Sequence, residues 1–232
     1  MNEIKCLYNV LQDVLEPKRE SISPIPLFSF EGLPGAGKTT QIQLVAEELN
    51  SEEYIAHYID LPTESVIGKI LKCMYCDVMK WDEVRYKHPW LNPVLLSADL
   101  HLAVERARNF GAKCALMSRG VLSTYYYNMD VYGERNSLEN WKKMEKHMSA
   151  FYMPTALFFL DISEEEARQR ILYRNRVPLR KMDTVSQMRK DKKLLLEYLS
   201  RLSHIPVHFI NASLGKNEVT KQVLEKIYMY LR

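Results

Sequence analysis

The run GLPGAGKT, Gly32 to Thr39, stands between the apolar stretch Leu27 to Phe30 and a segment in which Ile42, Val45, Ala46 and Leu49 recur at helical spacing. It fits G-x-x-x-x-G-K-[ST], and a strand before it with a helix after it is the setting that this pattern requires. A phosphate chain wrapped by main-chain N–H groups must come closer than side chains at Gly35 or Gly37 would permit. The helix N-terminus adds positive potential. The spacing therefore predicts a phosphate loop over Gly32, Pro34, Gly35, Ala36 and Gly37. Lys38 would place its ammonium on the β- and γ-phosphates, Thr39 its hydroxyl on Mg²⁺, and Thr40 would reach the α-phosphate. ATP and Mg²⁺ are the expected cofactors. This much specifies nucleotide binding and leaves open whether the chain is a kinase or a nucleotide hydrolase.

Outward from the loop, the same alternation continues. Tyr54 to Ile59, Cys114 to Met117, Ala156 to Leu160 and Val207 to Ile210 read as further strands. A helical stretch to about Met79 follows the second strand, then an aromatic-rich connection to Pro93 and a helix from Pro93 to Asn109 that Gly111 stops. Ser163 with Glu166 forms a capping box that starts a helix after Asp161. Strands separated by helices predict an α/β fold of three layers, α/β/α, around a five-stranded parallel sheet, with ligands beyond the strand C-termini. Upstream, Ile4, Leu7, Leu11, Val14 and Leu15 predict an amphipathic helix, so residues 1–23 are read as an extension and 24–232 as the main domain.

Composition excludes several classes. The 232 residues, 47% apolar, suit one substantial core. A net charge of +3 is too small to suggest a nucleic-acid polymer as partner. No apolar run approaches the roughly 20 residues that cross a bilayer, so no membrane partner and a cytoplasmic location are expected. Cys6, Cys73, Cys76 and Cys114 make no disulfide framework, and the Cys73/Cys76 pair lacks the further ligands of a zinc site. Charge is concentrated locally: Arg168 to Lys193 holds ten basic residues against Asp183 and Asp191, a field suited to an anionic ligand.

Over roughly residues 27 to 230 the chain resembles the thymidylate kinase family. The carriers are FEGLPGAGKTTQIQLVAEEL (30–49), Val66-Ile67-Gly68-Lys69, LLSADLHLAVERAR (95–108), Ser118-Arg119-Gly120 with Ser123, Tyr127 and Asn128, PTALFFLDISEEEARQRILYRNR (154–176) and FINAS (209–213). The resemblance implies a five-stranded parallel core, ATP-Mg as donor, a small-molecule acceptor and usually a homodimer. It implies an arginine-rich lid over about 174–184 carrying Arg174, Arg176 and Arg180, with Arg170 at its base. It places Arg119, Ser123, Tyr127, Asn128 and Asp99 on the acceptor side. Lid arginines supply cations over the γ-phosphoryl and keep water out. Leu33, Pro34 and Ala36 carry no arginine, which matches the subgroup whose catalytic arginine lies in the lid. Glu31 follows the first strand, where related deoxynucleoside kinases keep a proton-accepting carboxylate; a structural bond to Arg119 is the alternative.

Departures fall on the acceptor side. Pro34 stands for an acidic residue, Asp60-Leu61-Pro62 for Arg-Glu-Pro, Leu100 for an arginine and Ser118 for an acid that ordinarily helps organise Mg²⁺. Arg85, Arg106 and Arg108 are the substitutes available for binding an acceptor phosphate. Three functions follow: transfer of the ATP γ-phosphoryl to a nucleoside monophosphate, transfer to a nucleoside or other small hydroxyl compound, or a regulatory ATP-binding module without catalysis.

Overall fold

The structure, a computed structural model, describes residues 22–174, 179–180 and 183–231; the expected N-terminal helix and Arg176 lie outside the described residues. In chain order the elements are β1 (Leu27–Glu31), α1 (Lys38–Ser51), β2 (Ala56–Asp60), α2 (Val66–Cys76), α3 (Val78–Lys87), α4 (Leu91–Asn109), β3 (Cys114–Ser118) and α5 (Val121–Asn128). A 3₁₀ turn (Met129–Tyr132) is followed by α6 (Leu138–His147), β4 (Ala156–Asp161), α7 (Glu164–Tyr173), α8 (Val185–Arg201), β5 (Val207–Asn211) and α9 (Lys216–Leu231).

The five strands form one parallel sheet in the order β2-β3-β1-β4-β5. Every residue of β1 (LFSFE) and of β3 (CALMS) is buried, as expected of central parallel strands covered by helices on both faces. The edge strands β2 and β5 are only partly buried. Phe28, Phe30 and Phe158 pack in tilted pairs 5.3 to 6.1 Å apart at the centre of the core. Burying such a ring stabilises by roughly 1.5–3 kcal/mol.

Polar caps set the helix starts. Ser65, Ser137, Ser163 and Thr184 each accept a main-chain N–H three residues on, satisfying donors that the helix itself cannot. At the end of α4, Gly111 takes φ +79°, its N–H bonds the Arg108 carbonyl, and the Ala112 N–H bonds that of Ala107. This double closure is the left-handed stop that Gly111 predicts. One expectation is corrected: the aromatic-rich segment after Met79 is the helix α3, opened by the Asp77 carboxylate on the Lys80 N–H. Trp81 is its one buried residue, so it presents almost no apolar period to read.

Candidate functional site

β1 delivers the chain into the glycine-rich loop at the sheet's C-terminal edge. Gly35 has φ +85°, and a Cβ there would lie 2.3 Å from the Ala167 carbonyl, so this turn and its approach to α7 both require glycine. The Lys38 ammonium is buried and donates to the Gly32 and Leu33 carbonyls, at 2.8 Å each. Burial, followed by the charge of Arg119, pushes its pKa down to about 7; Arg174 acts in the same direction and Glu31 opposes it. Pro34, Gly35, Gly37, Lys38, Thr39 and Arg174 line a cavity of about 310 Å³. Gly32 lines the adjoining hollow, Ala36 is buried behind it, and Thr40, the third residue of α1, is half-buried.

Asp60, Ser118 and Arg119 complete that cavity from the ends of β2 and β3. The uncharged and anionic donors facing it, the Thr39 and Ser118 hydroxyls and the Asp60 carboxylate, are all oxygens. Such a set fits a hard divalent cation that keeps most of its shell as water and phosphate. The Tyr58 phenol interacts with Thr39, Ser118 and Asp60; burial and then the Asp60 charge push it above its ordinary range. Among the described residues no three His, Cys, Asp or Glu side chains cluster as a metal cage.

Arg119 is held at φ +64°, an unusual backbone for an arginine, with its N–H on the Phe30 carbonyl. Its guanidinium takes no hydrogen-bond or ion-pair partner among the described residues. Glu31 does not bond it. The Glu31 carboxylate is fully buried and accepts the Ser123 N–H at 3.2 Å, the Ser123 hydroxyl at 2.5 Å and, weakly, the Ser29 hydroxyl at 3.4 Å. Ser123 is the third residue of α5, whose own N-terminus has no side-chain cap, so β1 caps α5 through space. Burial raises the Glu31 pKa, and the bonds from Ser123 and the charge of Lys38 only partly offset this.

A second cavity, about 400 Å³, opens beside Arg119 and is lined by Ser123, Tyr127 and Asn128. Its far wall is Tyr75, Trp81 and Asn92. The Tyr75 hydroxyl donates to Asn92 Oδ1 at 2.6 Å, Asn92 Nδ2 to Asn128 Oδ1 at 2.6 Å, and Asn128 Nδ2 to the Thr124 carbonyl at 2.8 Å. Both amides keep one N–H unused in this chain of bonds. Asp99 does not face the cavity: it is fully buried and accepts the Thr63 N–H, the Thr63 hydroxyl and the Ser65 hydroxyl. It shapes the loop after Pro62 instead.

Of the arginines that stood available for an acceptor phosphate, Arg85 alone lines this cavity, and it is bidentate to Asp130 (2.9 and 2.7 Å) and bonded to Asp82. Arg106 lies over Phe110 in a separate groove, and Arg108 pairs with Glu105. On the lid side, Arg174 reaches the phosphate cavity, whereas Arg180 is held on the buried Asp183. Arg170 is tied to Glu166 and the Ala212 carbonyl, bracing α7 against the segment after β5.

Tyr75, Trp81 and Asn92 escaped sequence reasoning because their meeting with Asn128 spans four helices, α2 to α5, and no local spacing announces it. Asp60 showed only as a departure from a familiar triplet.

The profile of the family described as Thymidylate kinase matches residues 30–223. The chain is 26% identical over 206 residues to a "probable thymidylate kinase" of Sulfolobus acidocaldarius, covering 88% of this chain and 97% of that one. It is 26% identical over 215 residues to a "thymidylate kinase" of Thermoanaerobacter sp. strain X514, again covering 88% and 97%. A "probable thymidylate kinase" of Sulfurisphaera tokodaii is 31% identical over 147 residues, 62% of this chain and 67% of the relative.

Proposed function

Given that the chain belongs to the thymidylate kinase family, and is with it an ATP-dependent nucleotide kinase, we propose that it moves the γ-phosphoryl of ATP-Mg to thymidine monophosphate. The observation that carries this reading is the position of Arg119, which lines both the phosphate cavity and the cavity walled by Tyr127 and Asn128. A donor in one and an acceptor in the other meet at a single guanidinium.

In the reaction, an oxygen of the acceptor phosphate bonds to the γ-phosphorus while the bond to the β–γ bridging oxygen breaks, and ADP leaves with that electron pair. Lys38 exchanges the Gly32 and Leu33 carbonyls for phosphate oxygens. Arg119 and Arg174 hold the equatorial oxygens and neutralise charge that grows as the bond breaks. Thr39 offers its hydroxyl to the cation, which when bound supplies charge neutralisation across the phosphates. The spare N–H groups of Asn92 and Asn128 suit base carbonyls, and Tyr127 a stacked ring. Glu31 positions Ser123 and the first turn of α5. The free thiols of Cys73 and Cys76, both exposed, suit a cytoplasmic enzyme, and a homodimer is the assembly we adopt from the resemblance.

The capture of Arg85 by Asp82 and Asp130 favours a second acceptor, an uncharged nucleoside, because one free arginine is a sparse grip for a dianion. The deciding assay supplies ATP-Mg with thymidine monophosphate, other nucleoside monophosphates or thymidine and resolves the products. Thymidine diphosphate as the main product supports the first reading; phosphorylation of thymidine alone replaces it with the second, and ATP binding without any acceptor-dependent ADP leaves a binding module.

A further inference from the structure

Two oxygen-bearing side chains of the phosphate cavity stand apart from the groups that grip phosphate. Ser118 occupies the end of β3 and is uncharged. Asp60 is its register partner at the end of neighbouring β2, and both line the cavity that holds Thr39. Asp60 is the one carboxylate among the described residues of that lining, and it accepts no hydrogen bond and makes no ion pair among them, although Arg119 and Arg174 share the space. A free carboxylate beside three cationic groups and a threonine hydroxyl is a costly thing to place where a polyphosphate must enter, since it repels the ligand. A divalent cation reverses the sign of that effect.

Neighbouring strands lie about 4.8 Å apart, so a carboxylate moved from β3 to β2 still faces the same small volume. Mg²⁺ is held in nucleotide sites by one or two carboxylates together with phosphate oxygens and water, which asks of the protein little more than the Thr39 hydroxyl and one acid. We infer that Asp60 is that acid: it holds the nucleotide-bound divalent cation beside Thr39, from β2, in place of the charge that Ser118 lacks. This rests on the ATP-Mg reading of the cavity. It also gives a reason for an acid where a cation for the acceptor phosphate would otherwise help, because one position cannot serve both.

The test is metal-linked nucleotide binding by the full chain, read without turnover. ADP affinity is measured by calorimetry with and without Mn²⁺, and the electron paramagnetic resonance of Mn²⁺ reports its coordination. Wild type is expected to gain affinity with Mn²⁺. Asp60→Asn should lose 10-fold or more of that gain and leave metal-free ADP binding unchanged or tighter, a size typical of removing a group that fixes a metal's shell. Ser118→Asp in the Asp60→Asn background should restore it. Asp60→Cys should favour Cd²⁺ over Mn²⁺, since a thiolate selects soft ions, a gain that a misfolded variant could not show. An Asp60→Asn variant with the full Mn²⁺ gain, or an Asp60→Cys variant with unchanged metal preference, overturns the assignment. If wild type itself binds ADP and ATP independently of Mg²⁺ and Mn²⁺, the donor reading falls and the role of Asp60 with it.

Discussion

The carboxylate of Glu31 accepts both the main-chain N–H and the hydroxyl of Ser123, so the last residue of the central strand anchors the first turn of α5. α5 carries Tyr127 and Asn128, and the phosphate loop begins at the next residue after Glu31. One buried group thus fixes the acceptor wall relative to the phosphate loop. Glu31→Ala should leave a buried N–H unpaired and cost about 1–3 kcal/mol in urea unfolding, with the acceptor KM rising more than the ATP KM.

Glu31 also sets a pH dependence. Burial raises its native pKa above the ordinary 4.5, so the folded chain keeps a proton that the unfolded chain has lost. The Glu31 contribution is therefore present below 4.5 and is lost as pH rises through the raised native value. Relative to Glu31→Gln, wild type should lose stability in urea titrations as pH rises above 4.5; a constant difference between the two would contradict the upward shift.

Lys38 acts with the opposite sign. Its native pKa of about 7, against 10.5 unfolded, means that the unfolded chain binds more protons between those limits, so the ligand-free protein gains stability from this group as pH rises from 7 to 10.5. A bound triphosphate restores the ammonium. ATP binding at pH 8 should take up close to one proton, read by calorimetry in two buffers of different ionisation enthalpy, and weaken by up to about tenfold per pH unit above 7. Lys38→Ala should abolish that uptake and lower turnover by orders of magnitude.

Arg119→Ala removes the guanidinium shared by both cavities. Turnover with a phosphorylated acceptor should fall by about 10²- to 10³-fold, the range for losing a donor aimed at developing charge, and by less with an uncharged nucleoside. Equal losses would place Arg119 on the donor alone.

Asp99→Ala strips three acceptor bonds from Thr63 and Ser65 at a fully buried site. A loss of about 3–5 kcal/mol is expected from leaving such a network broken. Asp99→Asn, which keeps one acceptor oxygen, should recover part of it; a melting temperature unchanged in both variants would show that the loop is held by other contacts.

The sequence disclosed the parts whose reasons are local. Glycines spaced from Gly32 to Gly37 ahead of Lys38 and Thr39 mark a phosphate loop by their spacing alone, and the run Ala156 to Leu160 is buried on both faces because it lies next to the sheet centre. Gly111 ends α4 through its own backbone freedom. What stayed hidden depends on distant partners. Arg180 and Arg170 read as free cations, yet each finds a buried or half-buried carboxylate once the chain is folded. Asp99 looked like a ligand contact because it stands beside a position that binds in the resemblance; its partners lie 34 and 36 residues away. α3 shows no helical period because Val78, Met79 and Tyr86 are exposed and only Trp81 is buried.

The strand order β2-β3-β1-β4-β5 puts Asp60, Ser118 and Arg119 on one flank of the central strand and the arginine-bearing segment after β4 on the other. The phosphate cavity is therefore closed from both sides of one strand, by stretches of chain far apart in sequence. Asp60 and Ser118 stand side by side at the ends of β2 and β3, so a change at either position is felt at the other, as two keys on one ring share its weight.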